Sequence, residues 1–220
     1  GKAKIEFNPL ADDVIEFTFI RPWNQLDADY WLSYRIGMSM LDLYNVKPIE
    51  YYNLIKQEDG HINTLKIQAP RIYGYFNKHG EVYKIYQPKS KHRFHKVNTY
   101  LQGLDQLKYE KPYLVICSSL KDAMCLKSMG YNVEVVAPDS ENTIIKPHII
   151  QNFKKKYKKV ITLFDNDEAG FKAIERYANA YNIQGCYLTI CKDISDAMEK
   201  HGFDKLHEAL KPLLKQTLNK

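Results

Sequence analysis

The sequence predicts an α/β protein: a mostly parallel, doubly wound sheet of four strands flanked by helices, preceded by a smaller α+β region. Two observations predict it. From Tyr113 onward short apolar runs alternate with helical stretches, the pattern of strands joined by crossover helices. The first hundred or so residues instead carry runs that alternate in polarity, separated by turn residues. At 220 residues the chain suits one large domain or two small ones, and 45% apolar residues suffice for a core.

In the first region the alternating runs are Val14–Phe19, Glu50–Ile55, Ile62–Ile67 and Val82–Gln87, with Lys78-His79-Gly80-Glu81 as a hairpin turn. Between the first two lies Asp27–Ile36, with acids at its start and apolar residues at helical spacing, stopped by Gly37. In the second region Tyr113–Cys117 reads as a strand, Leu120–Met129 as a helix ending at Gly130, and Val133–Ala137 as the second strand. Ile144–Tyr157 is then a helix, Val160–Phe164 a strand, Glu168–Tyr181 a helix and Cys186–Cys191 the fourth strand. From His201 a last helix gathers Leu206, Leu210, Leu213 and Leu214 on one face. The expected division is 1–108, 109–200 and 201–220.

Cys117, Cys125, Cys186 and Cys191 form no CxxC pair and no Cys/His zinc spacing, so reduced thiols in a cytoplasmic protein are expected. The opening Gly1-Lys2-Ala3-Lys4-Ile5 lacks the apolar core and cleavage site of a signal peptide, and a start at Gly reads as an excised piece. No apolar run reaches membrane-spanning length.

Acids cluster at the predicted strand ends. Asp165 and Asp167 follow the third strand and precede Gly170 and a helix; two carboxylates so placed can point into one crevice at the sheet's carboxyl edge. Unpaired they would repel, and a hard cation such as Mg²⁺ removes that penalty. The alternative is that they cap the next helix, a common role for Asp. Asp122 after strand one, Glu141 in the loop after strand two, and Asp193 after strand four present acid to the same edge.

Val115-Ile116-Cys117-Ser118-Ser119-Leu120-Lys121-Asp122-Ala123, then Thr162-Leu163-Phe164-Asp165-Asn166-Asp167-Glu168-Ala169-Gly170, then Lys192-Asp193 resembles the Toprim domain of DnaG-type primases. The resemblance implies metal-binding roles for Asp122, Asp165, Asp167 and Asp193, with Mg²⁺ or Mn²⁺ as cofactor. The chain departs from that family twice. Ser118-Ser119 stands where the family has Glu-Gly, and Asp193-Ile194-Ser195 where it has Asp-Pro-Asp. Glu141 is then the candidate to replace the missing glutamate, and Asp196 to cover for Ser195.

Between residues 71 and 96 lie Arg71, Lys78, Lys84, Lys89, Lys91, Arg93 and Lys96 against one acid, Glu81, interleaved with Tyr73, Tyr75, Phe76, Tyr83, Tyr86 and Phe94. Cations that neutralise phosphates beside rings that stack on bases suit single-stranded nucleic acid; an ordinary hairpin with inward aromatics and solvated lysines is the alternative. The passage is similar to the basic subdomain that precedes Toprim in such primases, which assigns Lys89, Lys91, Arg93 and Lys96 to template or nucleotide phosphates. The lysines of Lys154–Lys159 complement a helix end.

The resemblance as a whole implies a primase core that joins ribonucleoside triphosphates into short RNA primers on single-stranded DNA, in a bacterial cytoplasm. Neither a P-loop nor a zinc ribbon is present in this sequence, so a zinc-binding domain is expected upstream or on another chain, and a replicative helicase as a separate partner in trans. A Toprim nuclease and a catalytically impaired nucleic-acid-binding module are the alternatives.

Overall fold

A computed structural model describes residues 14–58, 61–140 and 142–219. They divide into two compact units, 14–27 with 45–98, and 28–44 with 99–219. Residues 28–44 and 99–108 thus group with the second half of the chain instead of with the basic region.

The first unit is an antiparallel sheet of β1 (Val14–Ile20), β2 (Val46–Glu58), β3 (His61–Ile67), β4 (Tyr73–Phe76), β5 (Val82–Tyr86) and β6 (Phe94–Lys96), in the order β1-β2-β4-β5-β6 with β3 also on β2. The long β2 changes neighbours along its length: Val46–Pro48 pair with β4, and residues from Tyr52 onward with β3. The β4–β5 hairpin closes through Asn77, whose side chain accepts from the amides of His79 and Glu81, and through Gly80 at φ 81°. Ile49, Tyr52, Leu54, Ile72, Phe76 and Ile85 form the core. Asp27, 1% exposed, is held by both guanidinium nitrogens of Arg21 (2.6 and 2.9 Å) and by the Tyr73 hydroxyl (3.0 Å). Burial pushes its carboxyl up, but these donors and the Asn24 amide outweigh it and hold the pKa low.

The basic segment is resolved into its parts. Tyr73, Tyr75, Phe76, Tyr83 and Tyr86 are buried, as an inward-facing hairpin requires, and so offer no ring to a base. Phe94 is the exception: 43% exposed, it stacks on Tyr86 at 4.8 Å, with the Lys84 ammonium 4.6 Å from its ring centre. Lys89, Lys91, Arg93 and Lys96 are exposed.

The second unit opens with α1 (Gln25–Leu32, which enters it from residue 28) and α2 (Met38–Leu43). One helix ending at Gly37 was expected. The first helix stops at Leu32, Arg35 turns left-handed at φ 60°, and Gly37 serves as the N-cap of a second helix. Trp31, Ile36 and Leu41 are fully buried, and Arg35 lies 4.3 Å over the Phe203 ring, which ties this stretch to the unit.

The parallel sheet follows: β7 (Tyr113–Cys117), α3 (Leu120–Ser128), β8 (Val133–Val136), α4 (Pro147–Lys156), β9 (Lys159–Leu163), α5 (Glu168–Tyr181), β10 (Gln184–Cys186) and α6 (Ile194–Asn219). The strand order is β10-β9-β7-β8, all parallel. The first crossover leaves β7 on one side and the second returns on the other, so a crevice opens between the carboxyl ends of β7 and β9, where ligands bind in such sheets. Leu114, Ile116, Val136, Ile150, Phe153 and Tyr177 form much of the core between sheet and helices.

Two elements differ from the sequence expectation. The fourth strand is Gln184–Cys186, not Cys186–Cys191, because β9, its pairing partner, ends at Leu163 opposite Cys186. The stretch Ile194–Asn219 holds two helices that meet at non-helical Gly202 (φ 76°, ψ −179°), so the helix expected from His201 is its second half, and the helix before it, from Ile194, is additional. The second half buries Leu206, Leu210 and Leu214. All four cysteines are unpaired thiols, and among the described residues no helix is long and apolar enough to cross a membrane.

Candidate metal centre

Three strand ends feed one crevice. After β7 the chain turns through Ser118 and Ser119 into α3. Ser119 is the N-cap, extended at φ −142° and ψ 162°, and its hydroxyl accepts from the Asp122 amide at 3.2 Å. This seats Asp122, 3% exposed, in the first turn, where the helix dipole favours an anion. After β9 comes Asp165, 8% exposed, and the Ser118 hydroxyl donates to its Oδ1 across the gap between the two strands. After β10 comes Asp193, whose Oδ1 accepts from the Asp196 amide (2.6 Å) and the Ser195 hydroxyl (2.9 Å). The Ser195 amide donates to Asp122 Oδ1 at 3.0 Å, so the start of α6 binds two of the acids at once.

Asp122, Asp165 and Asp193 each place a carboxylate oxygen within 4.8 Å of the others. Ionised together in a crevice they repel. The Asp193 carboxyl is pushed up to about 6, by burial first and by Asp122 next. Burial also raises Asp165, with Asp193 and Asp167 adding to it and Ser118 and Lys192 opposing. A divalent cation removes this penalty, and a donor set of hard carboxylate oxygens alone fits Mg²⁺ or Mn²⁺ better than zinc.

Asp167 stands apart from the three. It caps α5, with Oδ1 accepting from the Gly170 amide at 2.9 Å and Oδ2 2.9 Å from the Lys192 ammonium. Those two partners, the Gly170 amide first, hold its pKa low. Helix capping, the alternative weighed for this acid, is therefore what its side chain does, alongside an ion pair. Lys192 also lies 3.4 Å from Asp165 Oδ2. The Asp196 carboxylate turns away to Lys200 at 3.1 Å. Glu141 lies outside the described residues. Lys89, Lys91, Arg93 and Lys96 belong to the other unit.

Sequence reasoning passed over four residues of this region. Ser118 and Ser195 were noted as lost acids, yet both hydrogen-bond to the acids that remain. Lys192 enters the sequence resemblance only as the neighbour of Asp193, although a cation directly beside an acid of the cluster is a usable signal. Asp139, 4% exposed and three residues beyond β8, is the described acid of that strand end.

Residues 115–200 match the Toprim-like family, so the fold and the acid crevice define a Toprim-like domain. A DNA primase of Campylobacter jejuni is 30% identical over 106 residues, 46% of this chain and 17% of that protein. The chain thus spans about a sixth of the length of this curated relative. Among solved structures, the primase fragment of the bacteriophage T7 primase-helicase protein has a TM-score of 0.53 at 18% identity, covering 95% of this chain and 82% of that one. The Aquifex aeolicus primase fragment with zinc-binding and RNA polymerase domains has a TM-score of 0.56 at 17% identity, covering 88% and 56%. At these identities the two solved structures show that the fold is shared.

Proposed function

We propose that the chain is the catalytic core of a DNA primase, joining ribonucleoside triphosphates on a single-stranded DNA template in a bacterial cytoplasm. The observation that carries this reading is the convergence of Asp122, Asp165 and Asp193, from three strand ends, inside a Toprim-like domain. A Mg²⁺ or Mn²⁺ ion held there would supply Lewis-acid stabilisation of charge on a phosphoryl group. The protein's own part is positioning. Ser118, Ser119 and the first turn of α6 fix the carboxylates, and Lys192 offers an ammonium to phosphate beside them.

In this reading the segment 1–108 is the nucleic-acid-binding part, and Lys89, Lys91, Arg93 and Lys96 hold template or nucleotide phosphates, with Phe94 available to stack on a base. Segments 109–200 and 201–220 are the Toprim domain and a C-terminal helix. A helicase or a zinc-binding domain, in the same protein or in trans, would be its partner. The test is template-dependent incorporation of labelled ribonucleotides with Mg²⁺ or Mn²⁺. Incorporation that needs a template supports the proposal; nicking or degradation of DNA without incorporation defeats it in favour of a Toprim nuclease.

A further inference from the structure

We propose that a lysine-lined cavity at the amino edge of the parallel sheet is a second anion site, and that it takes a compact polyphosphate: free triphosphate or the triphosphate tail of a nucleotide. The site stands apart from the metal centre. Lys159 opens β9 and Asp165 follows its end, so the two lie roughly 20 Å apart along one strand, at about 3.3 Å per residue.

The cavity, of about 450 Å³, has the size of a small-ligand pocket. Three successive pieces of chain bring cations to it: Lys154 from the last turn of α4, Lys158 from the bend after that helix, and Lys159 from the start of β9. No acidic residue lines it. The buried acid of this edge, Glu134, accepts instead from the amides of Lys108 and Tyr109 and from the Tyr157 hydroxyl.

Helix capping accounts for one of these lysines. The Lys154 ammonium donates to the Tyr181 carbonyl at the end of α5, where a cation complements the helix dipole. Lys159 belongs to a strand, and its ammonium is held by Gln184 Oε1 at 3.1 Å. Both acceptors are neutral. Each ammonium is therefore positioned without its charge being cancelled, and each keeps two further donors. Lys158 is exposed, and its side chain has no hydrogen bond or ion pair among the described residues. Asn182, the left-handed C-cap of α5, adds a neutral side-chain amide to the lining.

Three like charges around one cavity repel, and an anion among them relieves the repulsion. Ammonium groups bind phosphate as point charges, through charge-assisted hydrogen bonds. A single phosphate has too few oxygens and too little bulk to serve three lysines across this volume. A triphosphate presents linked phosphoryl groups, enough to meet all three at once.

Calorimetric titration of inorganic tripolyphosphate into the full chain, in metal-free buffer, tests this. The expected result is one tripolyphosphate per chain, with affinity that falls as KCl is raised. Lys158→Gln should weaken binding about tenfold, and Lys158→Gln with Lys159→Gln at least about a hundredfold. Lys192→Met, at the acid crevice, should leave it unchanged. Circular dichroism melts establish that each variant is folded, and Lys158→Gln, which removes no side-chain bond among the described residues, decides the matter if the double variant does not fold. ATP that binds at the same lysines at least about tenfold more tightly identifies a nucleotide as the source of the triphosphate; equal or weaker binding identifies free polyphosphate. No binding to wild type, binding that neither lysine variant weakens, or loss of binding in Lys192→Met overturns the proposal. A single-stranded oligonucleotide that displaces tripolyphosphate at lower concentration also overturns it, and makes this edge a nucleic-acid surface. None of these outcomes touches the primase reading.

Discussion

At the carboxyl edge of the parallel sheet three buried acids face one another, with Lys192 beside them; at the amino edge lysines stand around one buried acid that is fully served. Glu134, on β8, is 4% exposed and accepts from the amides of Lys108 and Tyr109 at 3.0 Å and from the Tyr157 hydroxyl. Lys154 donates to the Tyr181 carbonyl at the end of α5, and Lys159 to Gln184 at 3.1 Å. With Tyr157, Lys158 and Asn182 these lysines line an open cavity of about 450 Å³. Two edges of one sheet therefore bury carboxylates for opposite reasons. Glu134 is buried with three donors on its carboxyl oxygens and holds the fold. Asp122, Asp165 and Asp193 are buried close enough to resist being charged together, which is the mark of a site built for a cation.

The sharpest way to break this contrast is to neutralise one acid at each edge. Asp165→Asn should abolish Mn²⁺ binding and lower template-dependent incorporation by roughly a thousandfold, about 4 kcal/mol of lost charge stabilisation, without lowering the melting temperature. Titration calorimetry and an incorporation assay check this; unaltered Mn²⁺ affinity would remove Asp165 from the site. Glu134→Gln should do the reverse. Weakening three bonds to a buried acceptor should cost about 1–3 kcal/mol, a drop of roughly 3–10 °C on heating, with Mn²⁺ affinity unchanged. A variant that melts like wild type would show that Glu134 does not hold this edge.

The pH dependence of stability separates the edges further. The folded pKa of Asp193, about 6, lies above its ordinary value of 3.8, so ionising it costs the fold. Without a divalent cation that cost is absent below pH 3.8, grows as pH rises through the window, and is complete above pH 6. It amounts to about 3 kcal/mol. Denaturant titrations of wild type and Asp193→Asn across pH 4–7 should show the decline in wild type and its loss in the variant; parallel curves would contradict the assignment. Ser195→Ala should have the smallest effect. It removes one donor from Asp193 and leaves the amide bond to Asp122, so Mn²⁺ affinity should fall about tenfold.

The parallel sheet was legible because its strands are buried on both faces and read as apolar runs, and the acids because they punctuate those runs. The roles within the acids were less so. Asp165 and Asp167 are chemically alike and two residues apart. Which one faces Asp122 and which one caps α5 depends on how the chain turns after Leu163, and that turn is set by contacts with Lys192 from a distant strand end. Tyr187–Cys191 read as strand from residue type alone, but a strand also needs a partner, and β9 has already ended. In the antiparallel unit, periodicity located the hairpin, yet the burial of Tyr73, Tyr75 and Tyr83 and the exposure of Phe94 depend on which face the rest of that unit covers.

Gly170 sits where a Cβ would lie 2.0 Å from the carbonyl oxygen of Asp165 and 2.9 Å from its amide nitrogen. The first turn of α5 rests directly on the backbone of the acid, and any side chain at 170 would push the two apart. In a saturation-mutagenesis map scored by activity, position 170 should therefore be as intolerant as position 165, although it carries no reactive group. What is selected there is an empty space, and even alanine would fill it.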